Sequence, residues 1–504
     1  MHEILTLQFG QQANYLGTHY WNTQESYFTY AGQEASPVDH DISFRAGIGA
    51  DGHDTYTPRT LIYDLKGAFG TLRRENALYD VQSGGGRDGD GGGWGGATVP
   101  LRLPPVTPSR YQVALEQGGD LPTLTTETIR FWSDYNHLFY HPRSIVQLHE
   151  YEVQSQLMPF ERWSAGEEFF GSLDREHDLL DRDLRPWLEE CDQLQGMQVL
   201  TGWDDAWGGF AARYLERIAD ELGKGCRWVY GLSGAGRGLR ERRGKAEAAV
   251  RSLVEFQGSA SMVVPLHGCP GVLPRYVRVD AGSRWHTSAL QAVLVESVSL
   301  PMRLRVAEAG RATFDAVEGA LCNGGKRTVV SAGLSVDEGG GVDARADARV
   351  GNGVTNGCHR EDDEDGLEEL DIDFFPDFTL SPEPNSTRSR PRPHIFSTTT
   401  TLRSNTTSSS SLTASHRTHH SPIPFPTLPS FPQIFRFASQ PQKLAIKARL
   451  ETSTAVAGRL REMEDVVRRV VGVEEREALC EVLGAMKGEY EEGWSEEGEG
   501  WDDD

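Results

Sequence analysis

The sequence has few cysteines and no long apolar run. Its 504 residues include six cysteines and no C-x-x-C pair, so we expect reduced thiols and no structural zinc site. No apolar run approaches the roughly 18–20 residues that a membrane-spanning helix needs. The first basic residue is Arg45, which argues against the basic start of a signal peptide or a mitochondrial presequence. We therefore expect a cytosolic protein whose association with membranes is peripheral only.

Positive charge is also scarce. The chain has 74 Asp and Glu against 50 Lys and Arg, a formal net charge of −24. Direct binding of nucleic acid needs clustered Lys and Arg to displace counterions, so this balance argues against it. Hydrophobic residues make up 38% of the chain, less than the roughly 45–50% of an ordinary globular protein. We expect part of the chain to be unfolded.

Composition divides the chain into six segments. The acidic block at 361–365 and the Ser/Thr runs after it lack the apolar surface that offsets chain entropy, and repeated glycines at 83–96 favour a flexible insertion. We also expect His416, His419 and His420 to be solvated there. In chain order we predict a folded N-terminal segment, a flexible Gly/Pro-rich insertion, a second folded segment, a disordered acidic and Ser/Thr/Pro-rich linker, a helical segment and an acidic tail, at 1–80, 81–120, 121–335, 336–440, 441–488 and 489–504.

Local patterns predict an α/β fold. Residues 3–9 form a short apolar run that stops at Gly10, which indicates a strand, a tight turn and a helix. Apolar residues recur every four positions from Phe210 to Leu222, and strands are predicted on either side of this helix, so the three form a parallel βαβ unit. We further predict a helix at 133–140 and a strand at 276–279.

Several motifs resemble those of tubulins. Residues 3–14 (EILTLQFGQQAN) resemble the start of tubulins, where this strand and turn contact the guanine nucleotide. Residues 190–198 (ECDQLQGMQ) look like the tubulin segment that precedes the glycine-rich loop. Three other stretches resemble the Misato family of divergent tubulin-like proteins: WSDY at 132–135 with HPRSI at 141–145, DREHDLLDRD at 174–183, and WHTSAL at 285–290.

The resemblance implies a tubulin-like α/β protein. Its parts would be a parallel-sheet N-terminal domain of the nucleotide-binding type, a second α/β domain, C-terminal helices and disordered insertions. The implied role is in mitochondrial distribution and partitioning and in the inheritance of mitochondrial DNA. The implied location is the cytoplasm and the cytosolic face of the mitochondrion. Implied partners are proteins, namely tubulin-like proteins, a chaperonin or proteins of the mitochondrial surface.

The resemblance also places a vestigial nucleotide pocket at Gly10, Gln11, Gln12 and Asn14. Ala13 replaces the glycine that tubulins have before this asparagine. No G-x-x-N-x-D string, which completes GTP hydrolysis in tubulins, occurs in the chain. We therefore predict no catalytic residues and no enzymatic activity.

The loop that holds the phosphates in tubulins has the form G-G-G-T-G-S-G, but the corresponding residues 201–210 read TGWDDAWGGF. A carboxylate about 5 Å from a phosphate charge repels it by about 3 kcal/mol at an effective dielectric constant near 20. Trp203 and Trp207 would exclude the nucleotide sterically, and Asp204 or Asp205 would cap the following helix. We predict no bound cofactor; a Mg²⁺ ion that bridges Asp204 and a phosphate is the alternative that would retain GTP.

Three other interpretations stay open from the sequence. The chain could be a nucleotide-binding cytoskeletal GTPase, or a chaperonin-associated factor for tubulin-like folds. The glycine-rich stretch 231–238 follows a strand and is similar to a dinucleotide turn, with Glu255 as its acidic partner, although a mobile basic loop is the preferred reading. His137 and His141 are four residues apart but have no third ligand, so we predict no metal site.

Overall fold

The computed structural model describes most of the chain. The described residues are 3–30, 32–49, 52–73, 76, 78, 106–236, 238–308, 310–337, 370–379, 393–404, 411–413, 415–437 and 441–491. The strands within these ranges are, in chain order, β1 (Glu3–Phe9), β2 (Phe44–Ile48), β3 (Asp54–Pro58), β4 (Thr60–Lys66), β5 (Ile145–Glu152), β6 (Leu194–Gly202), β7 (Arg227–Ser233), β8 (Met262–His267), β9 (Ser331–Asp337), β10 (Ile372–Asp373), β11 (Ile395–Arg403), β12 (Ser411–Leu412), β13 (His416–Ser421), β14 (Phe425–Pro426) and β15 (Lys443–Ser453).

Helices alternate with the strands of the first half and close the chain. They are α1 (Gly10–Glu25), α2 (Arg110–Gln117), α3 (Trp163–His177), α4 (Arg185–Glu189), α5 (Ala206–Leu222), α6 (Leu239–Ser259), α7 (Arg284–Ser299), α8 (Phe314–Leu321), α9 (Ala455–Val470) and α10 (Val473–Glu491). In the part of the chain that the structure describes, no helix is both long and apolar enough to span a membrane.

Six strands form a parallel sheet in the order β5–β4–β1–β6–β7–β8. Its central strand β1 is buried along its whole length because helices cover both faces. Ile4 packs with residues of α1 and α7, while Leu5 and Leu7 pack with residues of α3, α5 and α6. Strands β4 and β5 lie on one side of β1, and β6, β7 and β8 lie on the other. The direction in which successive strands join the sheet therefore reverses between β1 and β6. Ligands of open α/β sheets bind outside the carboxyl ends of the strands at such a switch point.

The predicted βαβ unit is confirmed. Strand β6 pairs in parallel with β7, and α5 connects them. The side chain of Asp205 accepts a hydrogen bond from the backbone of Trp207 and caps α5, and Gly223 ends the helix with a φ of +63°. Phe210 and Tyr214, from the predicted apolar face, are buried.

A second sheet lies on the other side of helix α7. Its strand order is β10–β9–β15–β11–β13–β12, with β14 on β15, and only β11 and β13 pair in parallel. Helix α7 is buried at every residue from Thr287 to Ser299 and contacts α1 on one side and β9, β11 and β15 on the other. It is therefore the helix through which the two sheets pack.

The predicted disordered linker 336–440 is wrong for its described parts. Strand β11 (IFSTTTTLR) pairs antiparallel with β15, and Thr398 to Arg403 pair with His416 to Ser421 in β13. Threonine is β-branched and suits a strand that already has two neighbours. His419 and His420 are buried rather than solvated. Residues 338–369 and 380–392 of the predicted linker lie outside the described residues.

Other predicted boundaries change as well. Within the predicted flexible insertion 81–120, residues 110–117 form α2, which Ser109 caps, and 79–105 lie outside the described residues. The predicted helical segment 441–488 begins with strand β15 before α9 and α10. The predicted helix at 133–140 is a 3₁₀ turn at Trp132–Tyr135, and Val277 makes only a single β-bridge in place of the predicted strand. The acidic tail beyond residue 491 is outside the described part.

Candidate functional site

The candidate site is the space between the starts of α1 and α5, which we call the switch-point crevice. Gly10 begins α1 directly after β1, with a φ of +83° that favours glycine. The indole of Trp207 lies against it, since a Cβ atom on Gly10 would stand 2.6 Å from Cε2 of Trp207. Trp207 is buried and contacts the rings of Phe160 and Phe210. The indole therefore occupies the crevice.

Asp205 fills the helix N-terminus that an anion would otherwise meet. Its Oδ1 accepts a hydrogen bond of 2.9 Å from the backbone N–H of Trp207. Burial, with the neighbouring charge of Asp204, raises the pKa of Asp205 to about 7. The predicted capping role of Asp205 is confirmed. The backbone N–H of Trp207 already donates to the Asp205 carboxyl group, so it is not free to bind a phosphate.

Asp204 points the other way, toward the loop after β7. Its Oδ2 accepts a hydrogen bond of 3.3 Å from the N–H of Gly234 and lies 3.4 Å from Nζ of Lys245. Burial raises the pKa of Asp204, and the nearby Lys245 ammonium opposes that rise. Trp203, which directly follows β6, is fully buried against Gly231 of β7 and the ring of Phe378. Both tryptophans of the loop thus pack in the core.

The four predicted pocket residues lie at this edge of the sheet, but the side chains of Gln11, Gln12 and Asn14 bond within the protein. Nε2 of Gln11 and Nδ2 of Asn14 donate to Oδ2 of Asp64, at 2.9 Å and 2.7 Å. Nε2 of Gln12 donates instead to Oε1 of Gln291 on α7, at 3.0 Å. The structure therefore brings Gln11 and Asn14 together at Asp64, and turns Gln12 toward α7.

Asp64 is the residue that the sequence analysis missed. It is fully buried in β4, one strand away from β1. The available signal was its position near the end of the largely apolar run at 60–65 (TLIYDL), because the carboxyl ends of parallel strands meet at one edge. Burial raises the pKa of Asp64 to about 6, although Asn14 and Gln11 donate hydrogen bonds to it.

Asp64 gives a pH-dependent prediction. An aspartate in the unfolded chain has a pKa near about 3.9, so between about pH 4 and pH 6 the folded state holds a proton that the unfolded state has lost. Stability of the wild type therefore falls as pH rises through this window. Asp64→Asn has no proton to lose, and its free energy of unfolding relative to the wild type should rise by about 2 kcal/mol from pH 4 to pH 7.

Urea unfolding at several pH values measures this difference. Asp120→Asn, at an exposed position, controls for the substitution itself. A difference between Asp64→Asn and the wild type that is the same at pH 4 and pH 7 would contradict the prediction.

The other sequence candidates do not form a site in the described residues. His137 bonds to the hydroxyl of Tyr111, and no group of three or more His, Cys, Asp or Glu that could hold a metal is found in the described ranges. Glu255, the acidic partner of the dinucleotide alternative, lies near the far end of α6 and pairs with Arg213 at 3.2 Å. It is therefore remote from the glycine-rich loop that begins α6.

Sequence comparison decides the family. Residues 2–117 match the Misato Segment II tubulin-like domain, and residues 121–304 match the tubulin domain. The dml1 protein of Aspergillus clavatus is 44% identical over 526 aligned positions that cover all of both chains. The chain belongs to the Misato family. The resemblance found in the motifs and the tubulin-like α/β fold class are both confirmed.

Other members of the Misato family match over different lengths. The dml-1 protein of Neurospora crassa is 43% identical over the whole of both chains. The dml1 protein of Schizosaccharomyces pombe is 34% identical over 60% of this chain and 66% of its own. In this Misato chain the equivalent of the tubulin phosphate loop is closed by Trp207 and Asp205, and the nucleotide role of Gly10, Gln11, Gln12 and Asn14 stays a prediction.

Proposed function

We propose that this chain is a non-catalytic, tubulin-like interaction protein. The observation that carries the proposal is the indole of Trp207, which lies against Gly10 in the switch-point crevice. The crevice is where an open α/β sheet holds its ligand, and here a core side chain fills it. Binding of a nucleotide there would require the indole to leave a buried position.

Charge supports the same conclusion. An ionised Asp205 about 5 Å from a phosphate would repel it by about 3 kcal/mol, which is about a hundredfold in affinity. Because the pKa of Asp205 is about 7, this repulsion increases as the pH rises above neutrality. The steric exclusion by Trp207 acts at every pH.

The nucleotide content of the purified protein and its affinity for GTP test the proposal. We expect the purified protein to release no guanine nucleotide when it is denatured, and added GTP to bind more weakly than millimolar. Chromatography of the denatured supernatant and calorimetric titration measure the two quantities. Stoichiometric GTP or GDP in the supernatant, or micromolar binding that Asn14→Ala abolishes, would support the cytoskeletal GTPase instead.

We further propose a cellular role in mitochondrial distribution and partitioning and in the inheritance of mitochondrial DNA. This role rests on the resemblance to the Misato family. The proposed location is the cytoplasm and the cytosolic face of the mitochondrion, and the proposed partners are proteins there, tubulin-like proteins or a chaperonin. Depletion of the protein should alter the mitochondrial network and the distribution of its DNA in imaged cells. Unaltered mitochondria after depletion would remove the assignment.

A further inference from the structure

A cavity of about 440 Å³ opens at the surface beyond the end of α1. Separate stretches of the chain line it, namely Tyr27, Thr29, residues 34–37, Glu308 and residues 422–423. Its volume lies within the roughly 300–1,000 Å³ that small-molecule sites occupy. We propose that this cavity binds an organic cation, in the form of a guanidinium or ammonium group on a short aliphatic chain. The proposal does not depend on the closure of the switch-point crevice.

The walls of the cavity are largely apolar. The aliphatic side chains of Pro37, Pro422 and Ile423 line it. Tyr27 also lines it, and belongs to a small buried cluster against which Ile423 packs. Each methylene group that a ligand buries against such walls strengthens binding by about fourfold. The walls therefore fit the aliphatic part of the ligand.

Two carboxylates determine the charge of the ligand. Glu34 is exposed and Glu308 is partly exposed, and neither forms an ion pair with a described residue. Within the described ranges, no residue that lines the cavity is Lys, Arg or His. A guanidinium or ammonium group would supply the missing positive charge, and apolar walls beside the pair reduce its screening by water. An anionic ligand would meet two like charges at the same place.

Hydrogen bonds hold the walls of the cavity in place. The backbone N–H of Arg305 donates to the carbonyl of Pro37 at 2.9 Å, and that of Glu308 donates to the carbonyl of Arg305 at 3.0 Å. On the other wall, Nε of Arg403 donates to the carbonyl of Ile423 at 2.9 Å. The lining stretches are thus fixed before any ligand arrives. A preformed cavity binds a small ligand without the cost of ordering its walls.

Positive groups close to the cavity oppose a cation. Arg303 and Arg403 are fully buried and share one carboxylate, that of Glu296, so the three side chains keep a net positive charge. Tyr27 connects this cluster to the cavity, because its hydroxyl donates to Glu296 and accepts from Arg403. Arg305 is exposed. Arg305→Gln should therefore strengthen binding of the cation about twofold, an effect opposite in sign to removal of either carboxylate of the cavity.

Calorimetric titration of the full-length protein with butylguanidinium at low ionic strength tests the proposal. Butylurea, a neutral analogue of the same shape, is the blank. We expect butylguanidinium to bind with a dissociation constant near about 1 mM, and butylurea to bind at least about tenfold more weakly. Glu34→Gln and Glu308→Gln should each weaken binding of butylguanidinium about fivefold, and the double variant about twentyfold.

Ala35→Trp tests the cavity separately from its charge. Ala35 lines the cavity and is exposed, so an indole at this position should fill the space and abolish binding with little change in the thermal midpoint. Glu474→Gln is the matched control, because Glu474 is exposed on α10, which packs on α9 and α6. Butylguanidinium that binds no better than butylurea would overturn the proposal. Weakening by Glu474→Gln equal to that by Glu34→Gln would do the same.

A free polyamine and a basic side chain of a partner protein present the same group. Titrations with spermidine and with a capped glycine–arginine–glycine peptide separate these sources, and the same peptide with citrulline in place of arginine is the blank. Tighter binding of the arginine peptide assigns the cavity to a partner protein, and tighter binding of spermidine assigns it to a free polyamine. Binding of either that Glu34→Gln does not weaken contradicts the site. Nucleotide release is a separate measurement, so failure here leaves the proposed function standing.

Discussion

Glu296→Gln should strongly destabilise the folded chain. We expect a loss of about 3–5 kcal/mol in the free energy of unfolding, which is a large part of the roughly 5–15 kcal/mol of a typical domain. The reason is that two buried guanidiniums would lose their only charged partner in the described structure. Chemical denaturation of the soluble fraction measures the loss, and a lower soluble yield should accompany it.

The cluster around Glu296 joins the two sheets through α7. Arg303 Nη2 lies 3.1 Å from Glu296 Oε1, and Nη1 of Arg403, at the end of β11, bonds to Glu296 Oε2. The side chains of all three residues are fully buried. Although burial alone raises the pKa of Glu296, Arg403 and Arg303 together hold that pKa below its usual value. Tyr27 completes the network by accepting from Arg403 at 2.7 Å.

A surface pair provides the matched control. Arg251 Nη2 and Glu475 Oε2 form an ion pair at 2.5 Å, in which the Glu475 side chain is 58% exposed. Exposed pairs contribute about 0–1 kcal/mol, so Glu475→Gln should change stability little. Equal effects of Glu296→Gln and Glu475→Gln would show that the buried cluster does not hold the sheets together.

A double-mutant cycle tests whether Trp207 fills the switch-point crevice. Trp207→Ala should cost about 3–5 kcal/mol because it removes a buried aromatic side chain. Gly10→Ala should also destabilise, since the new Cβ meets the indole and the φ of +83° is unfavourable for alanine by about 1–2 kcal/mol. Together they should cost at least about 1 kcal/mol less than their sum, because the double variant has no indole to clash with.

The control for this cycle is Trp187→Ala. Trp187 is buried in the same core cluster, but lies in α4, before β6 begins, and so at the opposite edge of the sheet. Its effect should add to that of Gly10→Ala without coupling. Additive effects of Gly10→Ala and Trp207→Ala would mean that the indole does not occupy the crevice. Urea unfolding of the four proteins gives the coupling energy.

The candidate site was predicted from the sequence only in part. The motif at 3–14 indicated the edge of the sheet, and the acidic and aromatic residues at 203–207 indicated that the phosphate loop had changed. The partners of those residues could not be read from the sequence. Gln11 bonds to Asp64, 53 positions away, and Gln12 bonds to Gln291, 279 positions away. No local pattern of residues carries such a pairing.

What the sequence by itself determined is the local structure of the first sheet. The apolar run at 3–9, the four-residue spacing in α5, the Asp205 cap and the Gly223 stop all act within a few residues of one another. Capping and amphipathic periodicity depend on neighbours in the chain, so a sequence displays them directly.

Only the tertiary structure shows that the Ser/Thr-rich stretch forms a strand and that Trp207 closes the crevice. Strand β11 has few large apolar residues, yet it is ordered because β15 and β13 satisfy its backbone on both edges. Arg403 is buried because Glu296, 107 positions away, neutralises it. Trp207 closes the crevice because the parallel pairing of β1 and β6 brings the start of α5 beside Gly10. Polar and charged groups can be buried only where partners bond to them, and here those partners are distant in the chain. Folding brings them together, so no local pattern in the sequence shows them.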